Sequence, residues 1–190
     1  SVGNSINGFF HESAMDEIAL KGGIDPIDLR LKLAANFPYV VKTIEAARAL
    51  SHWDQPSQPG RAKGFAFCHS FGSWVAMVVE VSGDASKIRV ENVWIAADTG
   101  IALDPGIIEA QLQSGAIYGL SAALMQQMSF KLSQAVETNF PDHDALRMGN
   151  TPRIQVQLLE NAPKMGGVGE IATPPAAPAL INAIVKLTGT

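Results

Sequence analysis

Residues 166–175 read Gly-Gly-Val-Gly-Glu-Ile-Ala-Thr-Pro-Pro, and Glu170 is the lone carboxylate in the run. No Lys or Arg occurs between Gly166 and Asn182. Such a carboxylate has what a general base needs: glycines let backbone and ligand approach closely, and loss of water raises a carboxyl's basicity. A helix opening at Thr173, which the Thr-Pro pair predicts as its cap, works against that rise because its positive end favours the ionised form. The other reading of Glu170 is a helix-start carboxylate that only caps. Gly167-x-Gly169-x-x-Ala172 also matches the relaxed dinucleotide fingerprint. The strand–helix–strand unit and the acidic ribose partner about 20 residues on are not there, so no nicotinamide site is expected.

A second polar group comprises Asp98-Thr99-Gly100, Asp104-Pro105-Gly106, and Gln111 with Gln113 in an otherwise apolar helical stretch. A buried amide there needs partners, from a polar ligand or from neighbouring backbone. His11-Glu12 opens like a zinc motif, but Met15 stands where the second His belongs. His52, His69 and His143 share no ligand spacing, so no protein-held metal is expected. The single Cys68 excludes an iron–sulfur cluster built from this chain alone. No Gly-x-Ser-x-Gly elbow occurs, and nothing points to a nucleophilic Ser.

The elements that must position these groups fall into two stretches. Phe9, Phe10, Ala14, Ile18 and Ala19 recur at helical spacing, so residues 9–19 read as a helix stopped by Gly22-Gly23. Asp25-Pro26 caps a second helix, and Pro38 begins a third, to about Leu50. The breaker-rich residues 55–60 mark a boundary, dividing a helical segment, 1–54, from an α+β part, 61–190. In that part, residues 65–67 form a short strand, while 74–81 and 88–96 pair as a hairpin through 82–86. Asp104 caps a long helix to about Gln127, whose small residues (Ser114, Gly115, Ala116, Gly119, Ser121) predict close packing on a neighbour. Ile154, Val156 and Leu158 alternate with Gln, giving a strand with one wet face. The last helix stops at Gly189. The fold class is therefore α+β, a mixed sheet with packed helices.

With 190 residues, 47% of them hydrophobic and only 17% charged, the chain excludes disorder and predicts extensive burial. A net charge of −4 argues against a nucleic-acid partner. No apolar run reaches the length of a transmembrane segment.

Taken together, the motifs resemble the C-terminal signature of the molybdenum hydroxylases, the xanthine oxidase/aldehyde oxidase family. Within it, they resemble the large, molybdopterin-binding subunits of the isoquinoline 1-oxidoreductase and aldehyde dehydrogenase branch. Gly167-Val168-Gly169-Glu170 with Thr173-Pro174-Pro175 carries most of the resemblance. The opening Ser1-Val2-Gly3-Asn4-Ser5, then Glu12, Met15-Asp16-Glu17, Arg30, Phe71-Gly72-Ser73, Asp98-x-Gly100, Gln111 and Asn139-Phe140 follow in the family's order. The resemblance implies that Glu170 is the general base of a water-dependent hydroxylation, and that Gln111, Gly167 and Gly169 lie against a molybdopterin-type molybdenum cofactor. It also implies a small partner subunit with [2Fe–2S] clusters, and an aldehyde or N-heteroaromatic substrate. Departures are Gln113-Ser114 where relatives carry Glu-Gly, Asp104 where many have Asn, and His143 near a frequent Tyr. The family's Gly-Gln-Gly loop, and the Arg expected before Ser1, lie outside these residues. The chain thus reads as the C-terminal piece of a larger subunit, inactive alone. The competing expectation is a scaffold or subunit-interaction module that binds no cofactor by itself.

Overall fold

A computed structural model describes residues 1–84 and 86–189. Three helices come first: α1 (Gly3–Gly22), α2 (Pro26–Leu33) and α3 (Pro38–Leu50). Strands β1 (Arg61–Ser70), β2 (Ser73–Asp84) and β3 (Lys87–Asp98) then form an antiparallel meander. Helix α4 (Pro105–Met125) leads through a small hairpin, β4 (Phe130–Lys131) and β5 (Gln134–Ala135), to β6 (Arg153–Leu159), which pairs parallel to β3. Helix α5 (Thr173–Thr188) follows. The sheet order β1-β2-β3-β6 is mixed, as the sequence predicts. The breaker-rich residues 55–60 lie between α3 and β1. Of the predicted hairpin turn 82–86, Ala85 lies outside the described residues, while Asp84 Oδ1 accepts from the N–H groups of Ser86 and Lys87.

Both faces of the sheet are covered. On one, Met77, Val79, Val93 and Ile95 pack under Leu112 and Leu120 of α4 and Ala179 and Leu180 of α5. On the other, Ala76, Val78 and Ala96 meet Ile27 and Ile44 of α2 and α3. Strands buried on both sides need apolar residues at successive positions, which is why 74–81 reads as an unbroken run rather than an alternation. Its exception, Glu80, is paired with Arg61 at 3.1 Å and accepts a hydrogen bond from Asn92 Nδ2 at 2.7 Å. Edge strand β6 keeps the predicted alternation, with Gln155 and Gln157 exposed. The short strand expected at 65–67 extends over all of β1 because every residue from Arg61 to Ser70 finds a partner on β2.

Small residues set the spacing of the α4/α5 layer. A Cβ on Gly64 would stand 2.2 Å from the Ala183 nitrogen, so β1 and α5 touch backbone to backbone. A Cβ on Gly119 of α4 would stand 2.7 Å from Ala176 Cβ and 2.8 Å from the Thr173 carbonyl oxygen of α5, which fulfils the close packing expected of α4. Asp25 and Asp104 cap α2 and α4 as predicted. Thr173 does not cap α5: Ala172 is the N-cap residue, and Thr173 Oγ1 instead donates to the Gly115 carbonyl at 3.2 Å. That bond ties α5 to α4, and the competing partner explains the lost cap.

Helix α1 departs most from its pattern. Phe10 and Ile18 are exposed, while Glu12 is buried at 2% exposure. Glu12 Oε2 accepts from Arg30 Nε at 2.8 Å and from the Phe67 N–H at 2.7 Å. Asp16 Oδ1 lies 2.7 Å from Arg30 Nη1 but off the donor axis, so it gains a charge contact without a well-formed hydrogen bond. Burial therefore outweighs Arg30 and, with Glu12 adding to it, pushes the Asp16 pKa up to about 6. The native state then holds a proton that the unfolded chain releases near pH 3.8. Stability from this group is complete below pH 3.8 and is lost as the pH rises through about 6. Asp16→Asn, always neutral, should match the parent at pH 3.5 and exceed it by about 3 kcal/mol at pH 7.5. Urea midpoints at the two pH values check this, and an equal difference at both would exclude it.

Candidate functional site

The loop 166–170 is held by two neighbours at one end of the sheet. The first is the β1–β2 turn. Phe71 and Gly72 both have positive φ, 55° and 80°, the two-residue hairpin that suits strand twist. The Phe71 carbonyl accepts from the Gly167 N–H at 2.8 Å, and the buried Ser73 Oγ donates to the Gly167 carbonyl at 2.7 Å. A Cβ on Gly166 would stand 2.2 Å from Ser73 Oγ and 2.5 Å from the Gly72 carbonyl oxygen, so only glycine lets the loop seat here.

The second neighbour is the end of β3. The Thr99 carbonyl accepts from the Gly166 N–H at 2.9 Å. Asp98, fully buried, takes N–H donors from Gly100, Asn161 and Ala162 at 3.0–3.1 Å. The Asp-x-Gly constellation of the sequence is therefore an anchor for the strand leading into the loop. The role of Ser73 and the seating on Phe71 escape sequence reasoning, since 94 residues separate Ser73 from Gly167. The Asp98-Thr99-Gly100 spacing, an acidic side chain two residues before a turn glycine, is the one local signal for that anchor.

Beyond the clamp the loop is bare. A Cβ on Gly169 would meet nothing within 4 Å. The N–H groups of Val168, Gly169 and Glu170 have no acceptor among the described residues. The Glu170 side chain is 58% exposed, and its Oε1 lies 2.8 Å from the amino nitrogen of Ser1. It accepts no N–H of α5, so the capping reading fails; only the Glu170 backbone carbonyl serves the first turn, accepting from Thr173 N–H at 3.2 Å. The water-poor surroundings expected of this carboxylate are not formed by these residues.

Gln111 lies one helical turn before Gly115, against whose position Ala172 and Thr173 pack, so α4 brings it to the same end of the sheet as the loop. The expectation of a buried amide is corrected here. Gln111 is exposed with no side-chain hydrogen bond among the described residues, because Ile108 and Leu112 take the inward face. Gln113 is half-buried and donates to Glu109 Oε1 at 3.0 Å. His143 lies elsewhere, beside Gln126 at 3.1 Å. Among the described residues, no three of His, Cys, Asp and Glu gather as a metal site. No helix among them is long and apolar enough to cross a membrane. Cys68 is buried, and burial pushes its thiol pKa far up, so it stays protonated.

Comparison with known proteins bears on this end of the fold. The family model of the molybdopterin cofactor-binding domain matches residues 17–152. The beta chain of isoquinoline 1-oxidoreductase from Brevundimonas diminuta is 34% identical over 95% of this chain and 24% of its own length. The B chain of nicotinate dehydrogenase from Pseudomonas putida is 31% identical over 96% of this chain and 17% of its own. The chain thus spans about a quarter or less of these relatives. The aldehyde oxidoreductase of Desulfovibrio gigas superposes with a TM-score of 0.75 over 98% of this chain and 39% of that chain. At 13% identity, that similarity concerns the fold.

Proposed function

From the chain's membership of the molybdopterin cofactor-binding domain family of the xanthine oxidase-type molybdenum hydroxylases, we propose that the loop 166–170 and Gln111 form one wall of a molybdenum cofactor site. The observation that carries this reading is the bare stretch itself. Three successive free N–H groups and an uncovered Gly169 lie in the loop, and α4, which packs on Ala172 and Thr173 just after it, carries the unengaged Gln111 amide. Free backbone donors suit a ligand rich in anionic oxygens, and the open position at 169 leaves room for it to approach. The donor set therefore fits the cofactor.

The cofactor supplies the redox chemistry when bound; the protein binds and orients it. Gly167, clamped from both sides by Phe71 and Ser73, fixes the height of the loop. Gly169 leaves the contact face open, and Gln111 offers an amide from α4. Glu170 is the proton acceptor: its carboxylate is not consumed by capping, and it follows the glycine that opens the face. As a general base it takes a proton from water entering the substrate as hydroxyl. The substrate class is an aldehyde or an electron-poor N-heteroaromatic, and electrons pass to a small subunit carrying [2Fe–2S] clusters. Residues 1–54 would complete a module that lies upstream in the longer relatives, with 61–190 as the cofactor-facing part. The chain by itself would be inactive, since its Glu170 stands open to solvent.

Gly169→Val in the assembled enzyme tests the site without touching the fold. Its Cβ enters space that the chain leaves empty, so thermal stability should stay within about 0.5 kcal/mol. Molybdenum per complex, measured by elemental analysis, should fall at least fivefold. Parental molybdenum content in this variant overturns the placement. A wild-type complex without molybdenum would favour the scaffold module instead.

A further inference from the structure

At the opposite end of β1 and α5 from Glu170, the loop after α3 closes over a cleft of about 460 Å³. Three cationic side chains line it: Arg61, Lys63 and Lys186. Arg61 is committed to Glu80 and Glu91. The acidic residue on the wall, Asp54, is held by Arg48 through both carboxylate oxygens. That leaves two ammonium groups without an ion-pair partner within 4 Å among the described residues.

Lys63 is the unusual one. It is 7% exposed, yet its only hydrogen bond among the described residues goes to the His52 carbonyl at 2.8 Å. An ammonium carries three donors, so two are left without protein acceptors. Its Nζ sits 5.8 Å from the centre of the Trp94 ring, and Lys186 Nζ sits 4.8 Å from that of Trp53, so aromatic faces steer both charges. Burial outweighs the opposing charge of Glu80, the residue opposite on β2, and that of Asp54, and with Lys186 adding to it pushes the Lys63 pKa down. A largely buried cation whose carboxylates all stand beyond ion-pair distance is costly, and an anion in the cleft would relieve that cost.

We propose that this cleft is a binding site for a tetrahedral oxyanion of the phosphate class, held between the ammonium groups of Lys63 and Lys186. Charge selects the ligand. Two ammonium groups with no ion-pair partner within 4 Å among the described residues match a dianion, whereas a monocarboxylate pairs with only one. Lys63 supplies directed donors from a nearly dry position, and Lys186 closes from the exposed side. Ser57 and Gln55 add neutral polar groups to the rim. The site stands independently of the cofactor reading.

Equilibrium dialysis of the chain against inorganic phosphate at constant ionic strength, with tryptophan fluorescence in parallel, tests this. The expected result is one phosphate per chain, with acetate binding at least tenfold more weakly. Lys186→Gln and Lys63→Met should each weaken phosphate at least tenfold. Lys186 is exposed, so its variant decides the matter if the Lys63 variant does not fold. AMP displacing phosphate with equal affinity assigns recognition to the phosphate group alone, and tighter AMP binding assigns it to the phosphate of a larger molecule. No saturable uptake, uptake untouched by Lys186→Gln, or equal competition by chloride overturns the proposal.

Discussion

Replacing Glu170 by Gln in the assembled enzyme should lower turnover about 10²–10⁴-fold while molybdenum content stays at the parental level. Gln keeps the size and the hydrogen-bonding reach of Glu but cannot accept and hold a proton at neutral pH. The fold should not register the change. The Glu170 side chain is 58% exposed and accepts no N–H of α5 among the described residues, so a stability change beyond about 0.5 kcal/mol is not expected. Steady-state rates and elemental analysis on the same preparation separate the outcomes. Parental turnover would remove Glu170 from the chemistry, whereas loss of molybdenum would move its role from proton transfer to cofactor retention.

The largest stability effect is expected at Arg30, far from that loop. Arg30 is 4% exposed and joins α2 to α1. It donates to the Glu12 carboxylate at 2.8 Å, to the Glu12 carbonyl at 3.0 Å and to the Pro26 carbonyl at 2.9 Å, and it lies 2.7 Å from Asp16. Arg30→Met preserves the aliphatic volume and strands two carboxylates in the interior. Breaking a buried pair from one side costs about 3–5 kcal/mol, a large part of the roughly 5–15 kcal/mol that holds a typical domain together. Arg30→Lys should recover little, because one ammonium cannot reproduce the planar fork that serves Glu12 twice. Urea denaturation gives the value. A loss below about 1 kcal/mol would mean that water reaches Glu12 once the guanidinium is gone.

These two residues show where the sequence was readable. The long helix after Asp104 announced its close neighbour through Gly115 and Gly119, because small side chains at helical spacing let two backbones approach and do little else for a helix. The strand before Gly83 was equally plain, since burial on both faces demands continuous apolar residues. Helix α1 was legible as a helix but not in its facing. Phe10 and Ile18 suggested an apolar seam, whereas the inward position belongs to Glu12, whose partner Arg30 stands 18 residues away and carries no local mark. Glu170 stood out because a single charge among glycines is rare. What holds its loop did not, because Ser73, Thr99 and Phe71 meet it only through tertiary structure. The exposure of Gln111 was missed for a related reason: α4 is apolar nearly all round, and composition gave no hint which side would face α5.

The backbone contact between β1 and α5 also sets a schedule for biogenesis. The ribosome releases Gly64 more than a hundred residues before Ala183, an interval of about 6–24 s at ordinary elongation rates. Through that time one apolar side of the nascent meander has no permanent cover, and the loop that bears Glu170 has yet to emerge. A holding chaperone would find its substrate in the half-made sheet.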